Sequence, residues 1–299
     1  MNRNALKGFA VDIGGTKTAV ARIEQGKIVE HLVTPTDGDA DLEGHLQSFA
    51  QQLGRVGYRS GELLGVAVTG RVTRSGKWSA VNSGTLRAIE GVPLGAVLKA
   101  RFGEACCCND AAAAAYSEAM FGAGEDCPIF VYVTVSTGVG GGLVVDGKLI
   151  ESSRGLAGHL GFVTGPGANL ICGSGRRGTV ESIAAGRAIA AAAEDAGHPD
   201  FDARKVFEAA RSGSHWADEI IDRSSQAIAS LCADTAATLD PDCIAIGGGI
   251  GLADGYLSRV RAHLANEPEL FRVPLLPAVL GSDGPLLGAL ALAVTRRHQ

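Results

Sequence analysis

The sequence predicts an α/β protein, and two observations carry the prediction. First, a unit of strand, glycine-rich turn and returning strand occurs twice. It runs once around Asp12-Ile13-Gly14-Gly15-Thr16-Lys17 and again around Ser136-Thr137-Gly138-Val139-Gly140-Gly141-Gly142. Second, short strands alternate with helical stretches along the whole chain, and no low-complexity linker divides it. A duplicated unit suggests two related lobes facing one another.

Each element has its own signal. Gly8 to Ile13 reads as a buried strand, and Thr18 to Ile23, the turn Gln25-Gly26-Lys27 and Ile28 to Val33 complete a meander. Residues 39–56 read as a helix, and Leu63 to Thr69 as a strand ending at Gly70-Arg71. Residues 94–102 read as helix and 104–108 as a short strand, after which Asn109-Asp110 opens an alanine-rich helix to Met120. In the second half, Ile129 to Val135 is rich in β-branched residues, and Leu143 to Val145 returns from the glycine turn. Helices are expected over 180–196, 214–239, 254–265 and 285–297, with a buried strand from Cys243 to Ile246 running into Gly247-Gly248-Gly249. The helix at 214–239 carries Ile220, Ile221, Ala227, Ile228, Leu231, Thr235 and Leu239 on one stripe.

Bulk properties narrow the function classes. The chain has 299 residues, 46% hydrophobic and 20% charged, which is a globular composition with room for two domains. A net charge of −5 argues against nucleic acid or an anionic membrane as the main partner. Seven cysteines, three of them consecutive at Cys106 to Cys108, make no disulfide framework. The start of the chain lacks the apolar run of a signal peptide, and no stretch approaches the ~20 apolar residues of a membrane span. A cytoplasmic protein with reduced thiols is expected.

The turns carry the candidate chemistry. Gly14 and Gly15 allow backbone amides to approach a phosphate, Thr16 adds a hydroxyl, Lys17 a cation, and Asp12 a hard oxygen ligand for Mg²⁺. The plain alternative is a hairpin with an exposed lysine. Thr137 and Gly138 offer a second phosphate grip, against the alternative of a glycine-rich bulge. Gly248 and Gly249 follow a buried strand and precede a helix, where a nucleotide can lie against backbone. Asp110 reads either as a helix N-cap or as a general base for phosphoryl transfer. Glu181, at the start of a helix, complements the dipole or accepts a sugar hydroxyl. His159 stands between glycine-containing turns, where it can line a cleft, and Arg71 and Asn82 are polar residues beside turns.

Taken together, DIGGTK, NDAAAAA, STGVGGG, GLAGH, CGSGRRGTVE and the late GGG resemble the ROK family of sugar kinases and repressors. Within it, STGVGGG, GLAGH, VESIAAGRAIAAAA and GLADGYL most resemble bacterial N-acetylmannosamine kinases. The resemblance implies a two-lobed actin/hexokinase-like (ribonuclease H-like) fold. The smaller lobe would be 1–108 plus 285–299, the larger 109–284, and the active site would lie in the cleft between them. It implies Asp110 as catalytic base, with Gly70, Arg71, Asn82, Asn109, His159 and Glu181 on the sugar. Asp12, Gly14, Gly15, Thr16, Lys17, Thr137, Gly138, Gly248 and Gly249 would hold ATP with Mg²⁺. A homodimer is expected on the same ground.

One family feature is missing. The family's structural zinc is held by a histidine and three cysteines, and the matching positions here are Phe162, Cys172, Ser174 and Thr179. A phenyl ring and two neutral hydroxyls are poor zinc ligands, so no structural zinc is expected. Packing of Leu160, Phe162, Leu170 and Ile171 is expected to hold the loop instead. The leading expectation is an ATP-dependent kinase acting on the 6-hydroxyl of N-acetylmannosamine. The alternatives are a kinase for glucose or N-acetylglucosamine, and a catalytically weak sugar-binding sensor. ROK repressors carry a helix-turn-helix domain ahead of the kinase-like body, and Asp12 lies too near the start of this sequence for one, which disfavours a repressor.

Overall fold

The computed structural model of the chain describes residues 2–82 and 84–297. Along the chain run β1 (Gly8–Ile13), β2 (Lys17–Glu24), β3 (Lys27–Pro35), α1 (Leu42–Arg55), β4 (Leu64–Val68), β5 (Arg71–Val72), β6 (Trp78–Ser79), α2 (Leu94–Phe102), β7 (Ala105–Asn109) and α3 (Asp110–Phe121). Then come β8 (Ile129–Val135), β9 (Val139–Val145), β10 (Lys148–Leu149), α4 (Glu181–Ala184), α5 (Gly186–Asp195), α6 (Ala203–Arg211) and α7 (His215–Leu239). The chain ends with β11 (Cys243–Gly247), α8 (Gly248–Gly251), α9 (Tyr256–Leu264), β12 (Leu275–Pro277) and α10 (Gly284–Arg297).

Two five-stranded sheets have the orders β3-β2-β1-β4-β7 and β10-β9-β8-β11-β12. Each is the same pattern, 3-2-1-4-5 in its own numbering. In the first, β1 pairs antiparallel with β2 and parallel with β4, which pairs parallel with β7. In the second, β11 pairs parallel with both β8 and β12, and β10 pairs antiparallel with β9. The duplicated strand–turn–strand motif of the sequence is thus a duplicated sheet topology, and the α/β class holds.

The chain forms two compact units, one of residues 1–125, 142–158 and 280–299, the other of 126–141 and 159–279. The outline differs from the lobes expected from sequence. α3 belongs with the first unit because α10 packs along it and Tyr116 Oη and Thr295 Oγ1 are hydrogen-bonded at 3.0 Å.

In the first unit both faces of the sheet are covered, so β4 is buried at every position. Phe9, Val11 and Ile13 join Leu46, Phe49, Leu53 and Leu98 in a core beneath α1 and α2. The two-residue period of a strand turns Ala10 and Asp12 to the opposite face, the one that α10 packs on. Asp12 therefore projects on the side where α3 begins.

Three helices depart from the sequence expectation by an internal break or by two residues or more at their start. The helix expected from residue 39 starts at Leu42, because Asp41 Oδ1 caps it by accepting from Gly44 N at 2.8 Å. The helix expected over 180–196 breaks at Ala185, which is extended (ψ 154°), and Gly186 N donates to Ser136 O at 2.8 Å. That break ties the start of α5 to the second glycine turn. The helix expected from residue 254 begins only at Tyr256, after Gly255 in a left-handed conformation.

Candidate active site

In the first unit the carboxyl ends of the parallel strands β1, β4 and β7 deliver the candidate groups, as open α/β sheets do. Asp12 comes from β1, Thr69 and Gly70 follow β4, and Asn109 ends β7 opposite Val68. Asn109, not Asp110, is the N-cap of α3: its Oδ1 accepts from Ala112 N at 2.9 Å. Its Nδ2 donates to Gly70 O at 2.7 Å and to Asp110 Oδ1 at 2.8 Å. Asp110 Oδ1 also accepts from Ala111 N at 2.8 Å, and the Thr69 side chain donates to the Asp110 carboxylate. With capping done by its neighbour, Asp110 is oriented rather than consumed.

Asp12 and Asp110, each half-buried, form an acid pair whose mutual repulsion is felt at Asp12. Asp12 Oδ1 is shielded from solvent and has no hydrogen-bond partner. Burial, then repulsion from Asp110, push the Asp12 carboxyl up to about 7, against the pull of Lys17. Burial raises Asp110 to about 6, against its bonds from Ala111, Thr69 and Asn109. Two carboxylates placed together with an unpartnered oxygen fit a divalent cation, which would partner that oxygen and offset the repulsion.

The remaining candidates of this unit are placed as follows. Gly14 N donates to Lys17 O at 3.0 Å, closing the β1–β2 turn, with Thr16 and Lys17 exposed. Arg71 Nη1 donates to Arg154 O at 3.1 Å, and Asn82 Oδ1 accepts from Gly84 N at 3.0 Å. These two side chains each engage a backbone group, Arg71 one distant in sequence and Asn82 a near neighbour, whereas Asp12, Gly70, Asn109 and Asp110 lie together. Thr69 was missed by the sequence reading, as was Trp78, whose Nε1 donates to Thr69 O at 2.8 Å.

In the second unit β8 and β11 end side by side, Gly247 opposite Thr134. Gly248 has φ +85°, and a Cβ there would meet Val135 O at 2.4 Å, so only glycine fits. Beside it, Ser136 N donates to Gly138 O at 2.9 Å in the second glycine turn. A cavity of about 520 Å³ opens here, lined by Thr137, Gly249, Arg187, Phe207, Arg211 and Asp254 among others. Thr137 and Gly249 were expected; Arg187, although it lies within the VESIAAGRAIAAAA string, and Phe207 and Arg211 of α6 were not singled out as site residues.

The segment bearing His159 and Glu181 meets that turn at Val139. Gly161 lies so close that a Cβ would be 2.1 Å from Val139 O. Buried Glu181 accepts from Val139 N through Oε2 at 3.1 Å. The His159 ring stacks on Phe162, centroids 5.6 Å apart.

The positions matching the family's zinc ligands do not fit a zinc ion. Cys172 Sγ and Ser174 Oγ are hydrogen-bonded at 3.0 Å, and buried Thr179 Oγ1 accepts from Ser182 N at 3.2 Å. Among the described residues no group of three His, Cys, Asp or Glu side chains could hold a metal ion. The expected apolar packing of the loop is corrected in part: the Leu170 and Ile171 side chains are 52% and 59% exposed and do not pack, whereas Phe162 is half-buried against His159.

A family model described as "ROK family" matches residues 8–296. The chain belongs to the ROK family. An N-acetylmannosamine kinase of Citrobacter koseri is 41% identical to this ROK chain over 293 residues, spanning 96% of the chain and 99% of the relative. Among solved structures, a ROK hexokinase from Thermus thermophilus superposes with a TM-score of 0.82 at 30% identity, over 98% of this chain and 99% of its own. A ROK glucokinase from Streptomyces griseus, solved with glucose and AMPPNP, gives 0.80 at 26% identity over 97% and 99%. The actin/hexokinase-like fold is therefore that of this ROK chain.

Proposed function

We propose that this ROK protein is an ATP-dependent sugar kinase that phosphorylates the 6-hydroxyl of N-acetylmannosamine. The observation that carries a kinase reading is the acid pair of Asp12 and Asp110. Holding two mutually repelling carboxylates together, with one shielded oxygen left unpartnered, is costly. Phosphoryl transfer needs a base and a metal ligand, and this pair offers both. The choice of N-acetylmannosamine is supported by the relative of that name at 41% identity across nearly the whole of both chains.

In this reading Asp110, oriented by Asn109, Thr69 and Ala111, takes the proton from the attacking hydroxyl. Its raised pKa of about 6 keeps it a usable base at neutral pH. Asp12 holds the divalent cation, taken as Mg²⁺, which when bound neutralises phosphate charge. Gly14, Gly15, Thr16 and Lys17 on one turn, and Thr137 and Gly138 on the other, engage the ATP phosphates. Gly248, Gly249 and the cavity beside them take the nucleoside. Gly70, Arg71, Asn82, Asn109, His159 and Glu181 bind the sugar. We also propose a homodimer, read out by light scattering, and a cytoplasmic location; among the described residues no helix is long and apolar enough to cross a membrane.

The test is ADP release by purified protein with Mg-ATP across N-acetylmannosamine, N-acetylglucosamine, glucose and mannose. The highest kcat/KM is expected for N-acetylmannosamine. A higher value for glucose or N-acetylglucosamine would reassign the acceptor, and no turnover on any sugar would favour the sensor.

A further inference from the structure

The segment from His159 to Glu181 closes on itself without metal ligands. Its inner arms are joined by backbone: Thr164 and Thr179 form an antiparallel bridge, Gly165 N donates to Gly178 O at 3.0 Å, and Val180 N donates to Val163 O at 3.0 Å. Farther out, Gly178 N donates to Leu170 O at 2.8 Å and Cys172 N to Arg176 O at 2.9 Å. Two side chains then reach back across the segment: Arg177 Nη1 donates to Asn169 O at 2.6 Å, and Arg176 reaches farther in. Arg176 Nη1 donates to Phe162 O, and Nη2 donates to Thr164 Oγ1 at 3.1 Å.

The carbonyl it grips belongs to the turn that carries His159. Phe162 stacks on His159, Gly161 rests on the Val139 backbone, and Val139 N binds Glu181. Pulling on Phe162 O therefore fixes the ring of His159 relative to the carboxylate of Glu181. A guanidinium suits this task, because its planar fork offers two donors at once, where an ammonium offers a point charge on a flexible stem.

We propose that Arg176 is a positioning residue that holds the His159 turn against Glu181, a tie that the unfit donor set of Phe162, Cys172, Ser174 and Thr179 does not supply through a metal. The kinetic consequence rests on the kinase reading above; the structural one does not. Arg176 is exposed, so truncating it leaves the core intact.

The experiment compares wild type, Arg176→Ala and Arg176→Lys. Without sugar or nucleotide, amide hydrogen exchange at Gly165, Gly178 and Val180 is expected to quicken about tenfold or more in Arg176→Ala, with partial recovery in Arg176→Lys. Exchange at Ile244 and Ile246 in β11 should not change. In turnover assays with the best acceptor of the sugar panel, Arg176→Ala should raise the sugar KM about tenfold, leaving kcat and the ATP KM within about twofold. Dialysis of wild type against 1,10-phenanthroline should leave the exchange pattern unaltered. Unchanged exchange and KM in Arg176→Ala would overturn the proposal, as would a chelator-induced loosening of wild type. A fall in kcat at constant sugar KM would also overturn it. If wild type phosphorylates no sugar, the kinase reading fails and the exchange measurements still decide the role of Arg176.

Discussion

Replacing Asp12 with asparagine removes a charge that burial disfavours and keeps the shape. In wild type the Asp12 carboxyl titrates near 7 when folded and near 3.8 when exposed. The folded state thus holds a proton that the unfolded state has lost between those values. Stability from this group is complete below about pH 4 and is lost as pH rises through about 7. The difference of about 3 units corresponds to about 4 kcal/mol at 1.36 kcal/mol per unit. Water entering the opened site lowers that figure, so about 2–4 kcal/mol is expected. Asparagine resembles the protonated acid, and the cost of its own unpartnered amide group is the same at every pH. Comparing pH 4.5 with pH 8 therefore isolates the charge. That pH window spans about 2.4 of the 3 units, so urea unfolding without divalent cations should show Asp12→Asn gaining about 1.5–3 kcal/mol on wild type between those pH values. A gain that does not depend on pH, or a loss at pH 8, would refute the repelling acid pair. Saturating Mg-ATP should stabilise wild type more than the variant, by mass action, if Asp12 holds the cation as proposed.

Asp110→Asn should lower kcat at least about 1,000-fold with sugar binding by calorimetry largely kept, and wild-type kcat/KM should fall below about pH 6 as this base protonates. Arg187→Ala, in the cavity beside Gly249, should raise the ATP KM about tenfold and leave the sugar KM unchanged in initial-rate assays. Glu118 is 1% exposed and accepts from Ala123 N at 2.9 Å and Leu280 N at 2.7 Å, so Glu118→Ala leaves backbone donors unpaired. A loss of about 2–4 kcal/mol in denaturant unfolding is expected, with the sugar KM unaffected.

Much of the fold was legible because its signals are local. Strand period, glycine turns and polar residues at strand ends are written within a few positions of one another. The placement of Asp12 shows how far this reaches. Apolar Phe9, Val11 and Ile13 set one face of β1, so the parity of position 12 puts its carboxyl on the other. The spacing Asn109-Asp110 at a strand-to-helix junction left two roles open for Asp110. The structure gave the cap to Asn109, because its side chain reaches Ala112 N while also holding Gly70 O.

Other features had no local signature. Thr69 reaches Asp110 because β4 pairs with β7, Trp78 on β6 holds Thr69 O, and Arg187, Phe207 and Arg211 meet at the cavity beside Gly249 from two helices. The loop from Gly155 to Glu181 is the sharpest case. Its sequence alone determined that a zinc donor set was missing, since ligand chemistry belongs to residue type. Its apolar residues read as the replacement, yet Leu170 and Ile171 face solvent and an arginine closes the loop. Residue types and their periods set which chemistry was present and which side of a strand bore it. Which polar atom found a partner depended on chain segments far apart in sequence, and only the tertiary structure decided that.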